Sequence, residues 1–262
     1  MNIRACIFDL GGTIVDKYSR TPFLSLKNAF QKRNIRIDDS LIFKDMGMHK
    51  LNHIHEILKD PIVCLDWMNE YGGIPNNGEE IEIYNDFNEI QKKYTKNYMD
   101  ILPETKGTVQ YLQKHNIKTG VTTGFNKEIM NIVKHQLNKD NIYIDNFVSS
   151  TCLNVPSRPH PYMIYENMRQ LQVNNPKNII KVDDTQIGIM EGKNAGCITV
   201  GVYQWSTYMK ICEIDKEYSL SDEEMDYKMN DSRNILSEVK PDFLIGSLDE
   251  LPRIIRFLNR SK

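Results

Sequence analysis

The sequence predicts an α/β protein with a doubly wound parallel sheet, a Rossmann-like core and an inserted domain made only of helices. Three observations predict it. A short apolar run stops at two glycines, the next region carries helical patterns up to about residue 100, and strand-like and helix-like runs alternate after Pro103. Such alternation is typical of parallel sheets with right-handed crossovers. We therefore predict a core domain built from 1–20 and 103–262 and a helical domain at 21–102.

The first strand is predicted in the segment RACIFDL at 4–10, which is apolar and ends before Gly11. In the helical domain, Phe23, Leu26 and Phe30 form an apolar stripe with helical spacing. Asp38, Asp39 and Ser40 are candidate N-caps for the next helix, because their side chains accept hydrogen bonds from free backbone N–H groups. The segment from Gly78 to Leu102 is predicted to be one long amphipathic helix.

After Pro103 the sequence predicts five further strands, each following a helix or a loop. The predicted strands lie at 117–123, 146–150, 178–184, 197–203 and 242–247. The predicted helices lie at 108–116, 127–137, 161–171, 188–196 and 248–258. The polar and acidic segment 206–236 interrupts this pattern, and we predict a surface excursion with a short helix and no chemistry.

Composition excludes several classes of protein. The 262 residues carry a net charge of −2, which argues against general attraction to nucleic acid or to a membrane surface. No apolar run reaches the length of a membrane span, and the N-terminal run lacks the features of a signal peptide. The five cysteines are scattered and show no CxxC spacing. We expect a cytoplasmic protein with reduced thiols that binds neither nucleic acid nor membranes.

Polar residues cluster where the predicted strands end, the edge at which open α/β sheets bind ligands. Asp9 ends the first strand, and it could act as a nucleophile, bind a divalent metal or simply cap a turn. Thr123 and Gly124 precede a helix, whose N-terminus suits a phosphate. Arg158 lies between prolines after another strand and could clamp a phosphate or form a surface ion pair. Asp184 follows a further strand.

This ordered set of motifs resembles the haloacid dehalogenase (HAD) superfamily. IFDLGGTIVD resembles its first motif, TTG its second, Arg158 the cation of its third and KVDDTQIGIMEGKNAG its acidic fourth. The inserted helices resemble the cap domain of that superfamily. Phosphatases of the superfamily carry an acid two residues after the nucleophile, where this chain has Gly11. Either the protein is inactive as a phosphatase, or its leaving group needs no proton from that position.

The segment MGMHKLNHIHEIL at 46–58 offers another chemistry. If it is helical from about Met46, then Met46, Lys50 and His53 share one face. A deprotonated lysine can form a Schiff base with an aldehyde, and burial or nearby cations lower the pKa of a lysine. His49 and His53 could carry protons. For His49 we favour the alternative, in which its ring faces solvent. Taken alone, Lys50 would be expected to be a solvated helix residue.

The combination resembles the phosphonoacetaldehyde hydrolase family, also called phosphonatases, whose cap carries the string M-G-x-x-K-x-x-H. This resemblance implies hydrolysis of phosphonoacetaldehyde to acetaldehyde and phosphate with Mg2+, and a homodimer formed through the cap. It implies that Asp9 is the nucleophile and that Lys50 forms the imine. It further implies that His53 is catalytic and helps proton transfer beside the imine. Substrate or phosphate contacts are implied at Met46, Gly47, Thr123, Gly124 and Arg158, and metal ligands at Asp9, Asp184 and the carbonyl of Gly11.

Four residues depart from the expected pattern. Phe125 stands where Tyr is more frequent, Ser19 where some members have Cys, His49 at a position that is often apolar, and Gly188 in place of a second acid. The last change would shift metal binding onto Asp184. Two alternatives stay open: a HAD-type phosphatase for another small phosphorylated metabolite, which the glycine at position 11 disfavours, and an inactive relative that acts as a binding protein.

Overall fold

The computed structural model describes residues 2–213 and 216–260. Six strands form one parallel sheet in the order β3-β2-β1-β4-β5-β6, which confirms the predicted doubly wound α/β fold. The strands are β1 Ala5–Phe8, β2 Lys118–Thr123, β3 Asn146–Ser149, β4 Ile179–Asp183, β5 Ile198–Val202 and β6 Phe243–Ile245. Most of their side chains are buried, because helices cover both faces of the sheet.

Eleven α-helices are found in the described part of the chain. Five form the helical insertion after β1: α1 Arg20–Gln31, α2 Asp39–Lys44, α3 Lys50–Leu58, α4 Pro61–Tyr71 and α5 Asn77–Tyr98. Six belong to the rest of the fold: α6 Thr105–Lys114, α7 Lys127–Lys139, α8 Tyr162–Leu171, α9 Gln186–Ala195, α10 Asp222–Ser237 and α11 Leu251–Arg260. No helix among the described residues is long and apolar enough to cross a membrane.

Helices α1 to α5 pack around an apolar cluster of their own. Its largest buried members are Phe23, Phe30, Trp67 and Phe87. The termini are capped as the sequence suggests: Asp38 accepts a hydrogen bond from the backbone of Ser40 at the start of α2. A separate cluster lies around the sheet. The limits of the helical domain at 21 and 102 remain a prediction.

Strand register brings the polar residues together. β1 lies between β2 and β4, with Phe8 opposite both Val121 and Val182. The residues that follow these three positions are Asp9, Thr122 and Asp183. They therefore lie side by side at the carboxyl edge of the sheet, where ligands bind in this class of fold.

Two predictions about local structure are wrong. The helix expected from about Met46 begins at Lys50, because Gly47 has φ of 93°, a left-handed conformation that no right-handed helix contains. The segment 206–236 is more than a surface excursion. Ser206, Thr207 and Met209 are buried, and the helix that follows is α10, of 16 residues.

Two chain segments connect the helical domain to the core, and they contact each other. The backbone N–H of Asp16 donates to the carbonyl of Asp100 at 2.7 Å. Asp16, Tyr18 and Ser19 have positive φ values of 55°, 62° and 50°, which is uncommon for residues other than glycine. The Asp16 carboxylate accepts hydrogen bonds from the backbone and the hydroxyl of Thr21. Side-chain bonds thus hold the first connection in a strained conformation.

Candidate active site

The candidate site lies between the carboxyl edge of the sheet and the segment that precedes α3. The core contributes Asp9, Thr123 and Gly124 to its wall, and the helical domain contributes Met46 and Lys50. The cavity has a volume of about 20 Å³, enough for about one water molecule. The two parts of the chain therefore enclose a small space in this conformation.

Asp9 is buried at the end of β1. Its Oδ1 accepts a charge-assisted hydrogen bond from Nη1 of Arg158 at 2.8 Å. Burial raises the pKa of Asp9 to about 6 and the carboxylate of Asp183 adds to this, while the charges of Arg158 and Lys181 oppose it. Arg158 therefore keeps a buried carboxylate closer to its ionised, nucleophilic form.

Asp9, Asp183 and Asp184 form a buried acidic cluster whose carboxylate oxygens lie within 4.8 Å of one another. Burial raises the pKa of Asp184 well above its ordinary value, and the carboxylates of Asp183 and Asp9 raise it further. Asp183 behaves differently, because Lys181 and Arg158 outweigh the effect of burial and lower its pKa. A bound cation would relieve the repulsion at Asp184, and oxygen ligands suit hard divalent cations such as Mg2+. The donor set therefore fits a divalent cation.

Neighbouring residues hold Asp184 in place. Its Oδ2 accepts a hydrogen bond from the backbone N–H of Thr207 at 3.0 Å, and the hydroxyl of Ser206 donates to its carbonyl at 2.7 Å. Gly12 has φ of 70°, and a Cβ there would lie 2.4 Å from Oδ2 of Asp184. Gly11, the expected source of a carbonyl ligand, lines the same cavity as Asp9.

Thr123 and Gly124 form the turn between β2 and α7. The Thr123 hydroxyl accepts a hydrogen bond from the backbone N–H of Phe125 at 3.1 Å. A Cβ at Gly124 would lie 2.9 Å from the carbonyl oxygen of Gly47 and 3.0 Å from that of Met48. The absence of a side chain at this position therefore allows the two domains to touch through their backbones.

Lys50 is 4 % exposed, and its Nζ points toward two groups without negative charge. The sulfur of Met46 is 3.5 Å away and Nδ1 of His53 is 3.3 Å away. Burial lowers the pKa of Lys50 to about 7, although the carboxylates of Asp9 and Asp45 act in the opposite direction. Near neutral pH a substantial fraction of this lysine is therefore the uncharged amine.

The histidines on either side of Lys50 have different surroundings. His53 is fully buried, and burial together with the charge of Lys50 holds its pKa well below the ordinary value. Its Nε2 lies 3.4 Å from the carbonyl oxygen of Leu41. His49 is half-buried rather than facing solvent, because its ring packs against Tyr84 with centroids 5.9 Å apart. Burial and Lys50 also lower the pKa of His49.

Gly47 and Gly11 leave room for neighbouring hydroxyl groups. A Cβ at Gly47 would lie 2.8 Å from Oγ1 of Thr185, and one at Gly11 would lie 3.0 Å from Oγ of Ser19. The ring of Phe125 is 3.6 Å from the same point above Gly11. An acidic side chain at position 11 would need Ser19 to move. Because the chain has glycine at this position, the site lacks the acid expected there in a HAD phosphatase.

Comparison with known proteins identifies the family. The model of haloacid dehalogenase-like hydrolases matches residues 3–196. Phosphonoacetaldehyde hydrolases from Bacillus cytotoxicus and Lactiplantibacillus plantarum are 31% and 29% identical, covering 100% and 99% of this chain and 98% of each relative. A crystal structure of a phosphonoacetaldehyde hydrolase-like protein from Oleispira antarctica has a TM-score of 0.93 and 26% identity, covering 99% of this chain and 94% of that one. The chain belongs to the phosphonoacetaldehyde hydrolase family.

Family membership confirms the predicted resemblance and makes this protein a hydrolase of the HAD superfamily. The structure brings the predicted site residues of this family member together around one cavity or directly beneath it. Arg158 is among those beneath, since only 1% of its side chain is exposed and it contacts the nucleophile candidate rather than lining the cavity. The functional role of each residue is a separate question.

Sequence reasoning about this hydrolase missed several residues of the site. Thr122, Lys181 and Glu191 form a buried polar group beneath Asp9, and Thr207 binds Asp184. A signal was present for two of them, since a lysine in a buried strand and a glutamate inside the fourth motif both need partners. Thr207 gave no such signal, because it lies in a segment whose composition is typical of a surface loop.

Proposed function

We propose that this enzyme hydrolyses phosphonoacetaldehyde to acetaldehyde and phosphate through an imine at Lys50 and an aspartyl-phosphate at Asp9. One observation carries the proposal: a buried lysine with a pKa of about 7 shares a small cavity with a buried aspartate, and Gly11 supplies no acid. This arrangement suits a leaving group that accepts an electron pair without a proton from position 11.

The first half of the reaction takes place at the aldehyde. The neutral amine of Lys50 attacks the carbonyl carbon, and one amine proton passes to the former carbonyl oxygen to give a carbinolamine. The hydroxyl of the carbinolamine takes up a proton from solvent and leaves as water, which gives a protonated imine. Neutral His53, 3.3 Å from Nζ, is placed to accept a proton from the attacking amine. Met46 lies on the other side of Nζ and positions it without adding charge.

The second half of the reaction takes place at phosphorus. A carboxylate oxygen of Asp9 attacks, and the electrons of the carbon–phosphorus bond move into the iminium to give an enamine on Lys50. Protonation and hydrolysis of the enamine release acetaldehyde, and water then hydrolyses the aspartyl-phosphate. Thr123 and the backbone at Gly124 hold the phosphoryl oxygens, and the backbone of Gly47 closes the site above them. Arg158 contacts Asp9 from beneath the cavity, and its guanidinium would stabilise the negative charge of the phosphoryl group from that side.

We propose Mg2+ as the cofactor, held by Asp9, Asp184 and the carbonyl of Gly11. The metal would offset the charge of the phosphoryl oxygens and so favour attack by a carboxylate. The buried charges support this proposal. Four carboxylates, those of Asp9, Asp183, Asp184 and Glu191, face the two cations Arg158 and Lys181, which leaves an excess of two negative charges when all are ionised.

The test is acetaldehyde release from phosphonoacetaldehyde with MgCl2, measured for the wild type, Lys50→Arg and the control Lys59→Arg. Lys59 lies on the surface and pairs with Glu56. We expect turnover and borohydride trapping at Lys50 in the wild type and the control, and neither in Lys50→Arg. A folded wild type that releases no acetaldehyde would contradict the proposal, and phosphate esters would then test a phosphatase.

The homodimer through the helical domain is also a proposal. On α4, Val63 and Trp67 face the core of the helical domain, while Ile62, Leu65 and Met68 on another face are 72%, 57% and 44% exposed. An apolar face of this kind supports association with a second copy. We expect sedimentation velocity to show a dimer that Leu65→Glu converts to monomers, whereas a monomeric wild type would contradict it.

A further inference from the structure

The orientation of the Arg158 side chain is fixed on three sides. Its Nε donates to Oε2 of Glu191 at 2.8 Å, and Nη1 donates to Oδ1 of Asp9 at 2.8 Å. Nη2 donates to the carbonyl and the hydroxyl of Thr122 at 2.6 and 2.7 Å. A guanidinium is planar with donors in fixed directions, so the contacts at Nε and Nη2 determine where Nη1 points.

Glu191 is the least expected member of this group. It lies on α9 and is fully buried, and Oε2 accepts hydrogen bonds from both Arg158 and Thr122. Its other oxygen, Oε1, has no hydrogen-bond partner among the described residues. Removing this carboxylate alone would leave the buried cations Arg158 and Lys181 short of a counter-charge, so Glu191 contributes to stability. Its hydrogen bond to Nε also fixes the orientation of the guanidinium.

Thr122 links the charged side chains. Its hydroxyl oxygen accepts hydrogen bonds from Nη2 of Arg158 and from Nζ of Lys181, the latter at 2.9 Å. The same hydroxyl donates a hydrogen bond to Oε2 of Glu191 at 2.9 Å. A hydroxyl has one donor and two acceptor positions, so all of its capacity is used. Lys181 is held in turn by Oδ2 of Asp183 at 2.8 Å. No member can rotate without breaking a bond to a charged neighbour.

We propose that Glu191, Thr122 and Lys181 are positioning residues that aim Nη1 of Arg158 at Asp9. The inference rests on the proposed function, since it concerns the phosphoryl-transfer half of that reaction. Without Glu191 the guanidinium can rotate toward the carboxylate of Asp183, because Nη2 already lies 3.6 Å from Oδ2 of that residue. Rotation in that direction would take Nη1 away from the attacking oxygen.

A double-mutant cycle tests the proposal. The kcat and KM for phosphonoacetaldehyde are measured for the wild type, Glu191→Gln, Arg158→Ala and the double variant. We expect Glu191→Gln to lower kcat about 100-fold, the effect of losing one preorganised donor, with a smaller change in KM. In the Arg158→Ala background the same change should leave kcat unaltered or raise it, because no guanidinium remains to be oriented. An equal loss in both backgrounds would overturn the proposal.

Further variants separate positioning from folding. Glu166→Gln, which alters surface contacts with Arg169 and Gln170, is the control for loss of a carboxylate and should match the wild type. If Arg158→Ala does not fold, Thr122→Ser and Thr122→Val replace it in the test. The serine keeps the hydroxyl and should retain kcat, whereas the nearly isosteric valine should lose it. Equal activity of the two would contradict the proposal.

A binding measurement distinguishes failure of this inference from failure of the proposed function. Inorganic phosphate is titrated into the wild type and Glu191→Gln by calorimetry in the presence of MgCl2, which needs no turnover. We expect about tenfold weaker binding in the variant, because Arg158 contributes a charge-assisted hydrogen bond. A wild type that binds phosphate but releases no acetaldehyde would refute the proposed function alone. Equal phosphate affinity of wild type and variant would refute the positioning role.

Discussion

Two buried lysines, one in each domain, have opposite surroundings. Lys181 in the core is 0 % exposed and contacts Asp183 and Thr122. Lys50 in the helical domain is 4 % exposed, and its Nζ contacts Met46 and His53. Burial alone therefore does not determine what a lysine does.

The difference lies in the counter-charges. Lys181 has a carboxylate within ion-pair distance, so its positive charge is compensated where it lies. The Nζ of Lys50 has a thioether and a neutral imidazole as its closest polar contacts, and its pKa falls to about 7. The core thus pairs its lysine with a carboxylate, whereas the helical domain makes its lysine available as an amine.

Replacing each lysine by methionine should give the largest contrast in stability. Lys181→Met leaves Asp183 and Glu191 short of a cation in a buried site, so we expect the free energy of unfolding to fall by about 3–5 kcal/mol. Lys50→Met removes a buried group that lacks a close counter-ion, so stability at pH 7 should be unchanged or higher. Urea unfolding followed by circular dichroism measures both. Equal losses would show that the two environments do not differ as described.

A carboxylate placed beside Lys50 should make it resemble Lys181. Met46→Glu would put a negative charge near Nζ and raise the pKa of Lys50 by about 1–2 units. At pH 7 we expect kcat/KM for acetaldehyde release to fall about 10- to 100-fold, with partial recovery at pH 9. The control is Met46→Leu, which keeps an apolar side chain. A Met46→Glu enzyme with an unshifted pH profile would argue against control of catalysis by the charge of Lys50.

The pH dependence of stability gives a smaller effect with a definite sign. The pKa of Lys50 is about 7 in the folded protein and near its ordinary value of 10.5 in the unfolded chain, so the unfolded chain binds more protons between these values. The contribution of Lys50 to the free energy of unfolding therefore rises with pH in that window, by about 1.4 kcal/mol per pH unit.

The comparison of wild type with Lys50→Met isolates this term. Urea unfolding at pH 7.5 and pH 9 should show the wild type gaining about 2 kcal/mol relative to the variant over that interval. The same pH dependence in both proteins would mean that Lys50 does not titrate in this range.

Sequence reasoning succeeded where a residue is placed by its own strand. Asp9 and Asp184 follow buried strands, and parallel pairing alone brings them to one edge of the sheet. Lys50 was identified through a local string, and its burial followed from the fold. In each case a few neighbouring residues contain the needed information.

The prediction failed where contacts join distant segments. Arg158 lies 36 residues from Thr122 and 33 residues from Glu191 in the sequence. The residues around any one of these three positions give no indication that the other two are its partners. The turn at Gly47 was also missed, since its left-handed backbone is favoured by contact with Thr185 in the core rather than by its immediate neighbours. Tertiary contacts override local helical spacing in such a segment.

The backbone contact between Gly124 and Gly47 has a consequence for how the two domains can vary. Because carbonyl oxygens of one domain lie where a side chain of the other would begin, the closed distance between them is fixed by the peptide chain itself. A methyl group at position 124 would lie 2.9 Å from the carbonyl oxygen of Gly47, closer than an ordinary van der Waals contact, so the two backbones would have to move apart. The cavity would then be open to bulk water. This glycine therefore sets how closely the two domains approach each other, and it takes no part in the chemistry through a side chain.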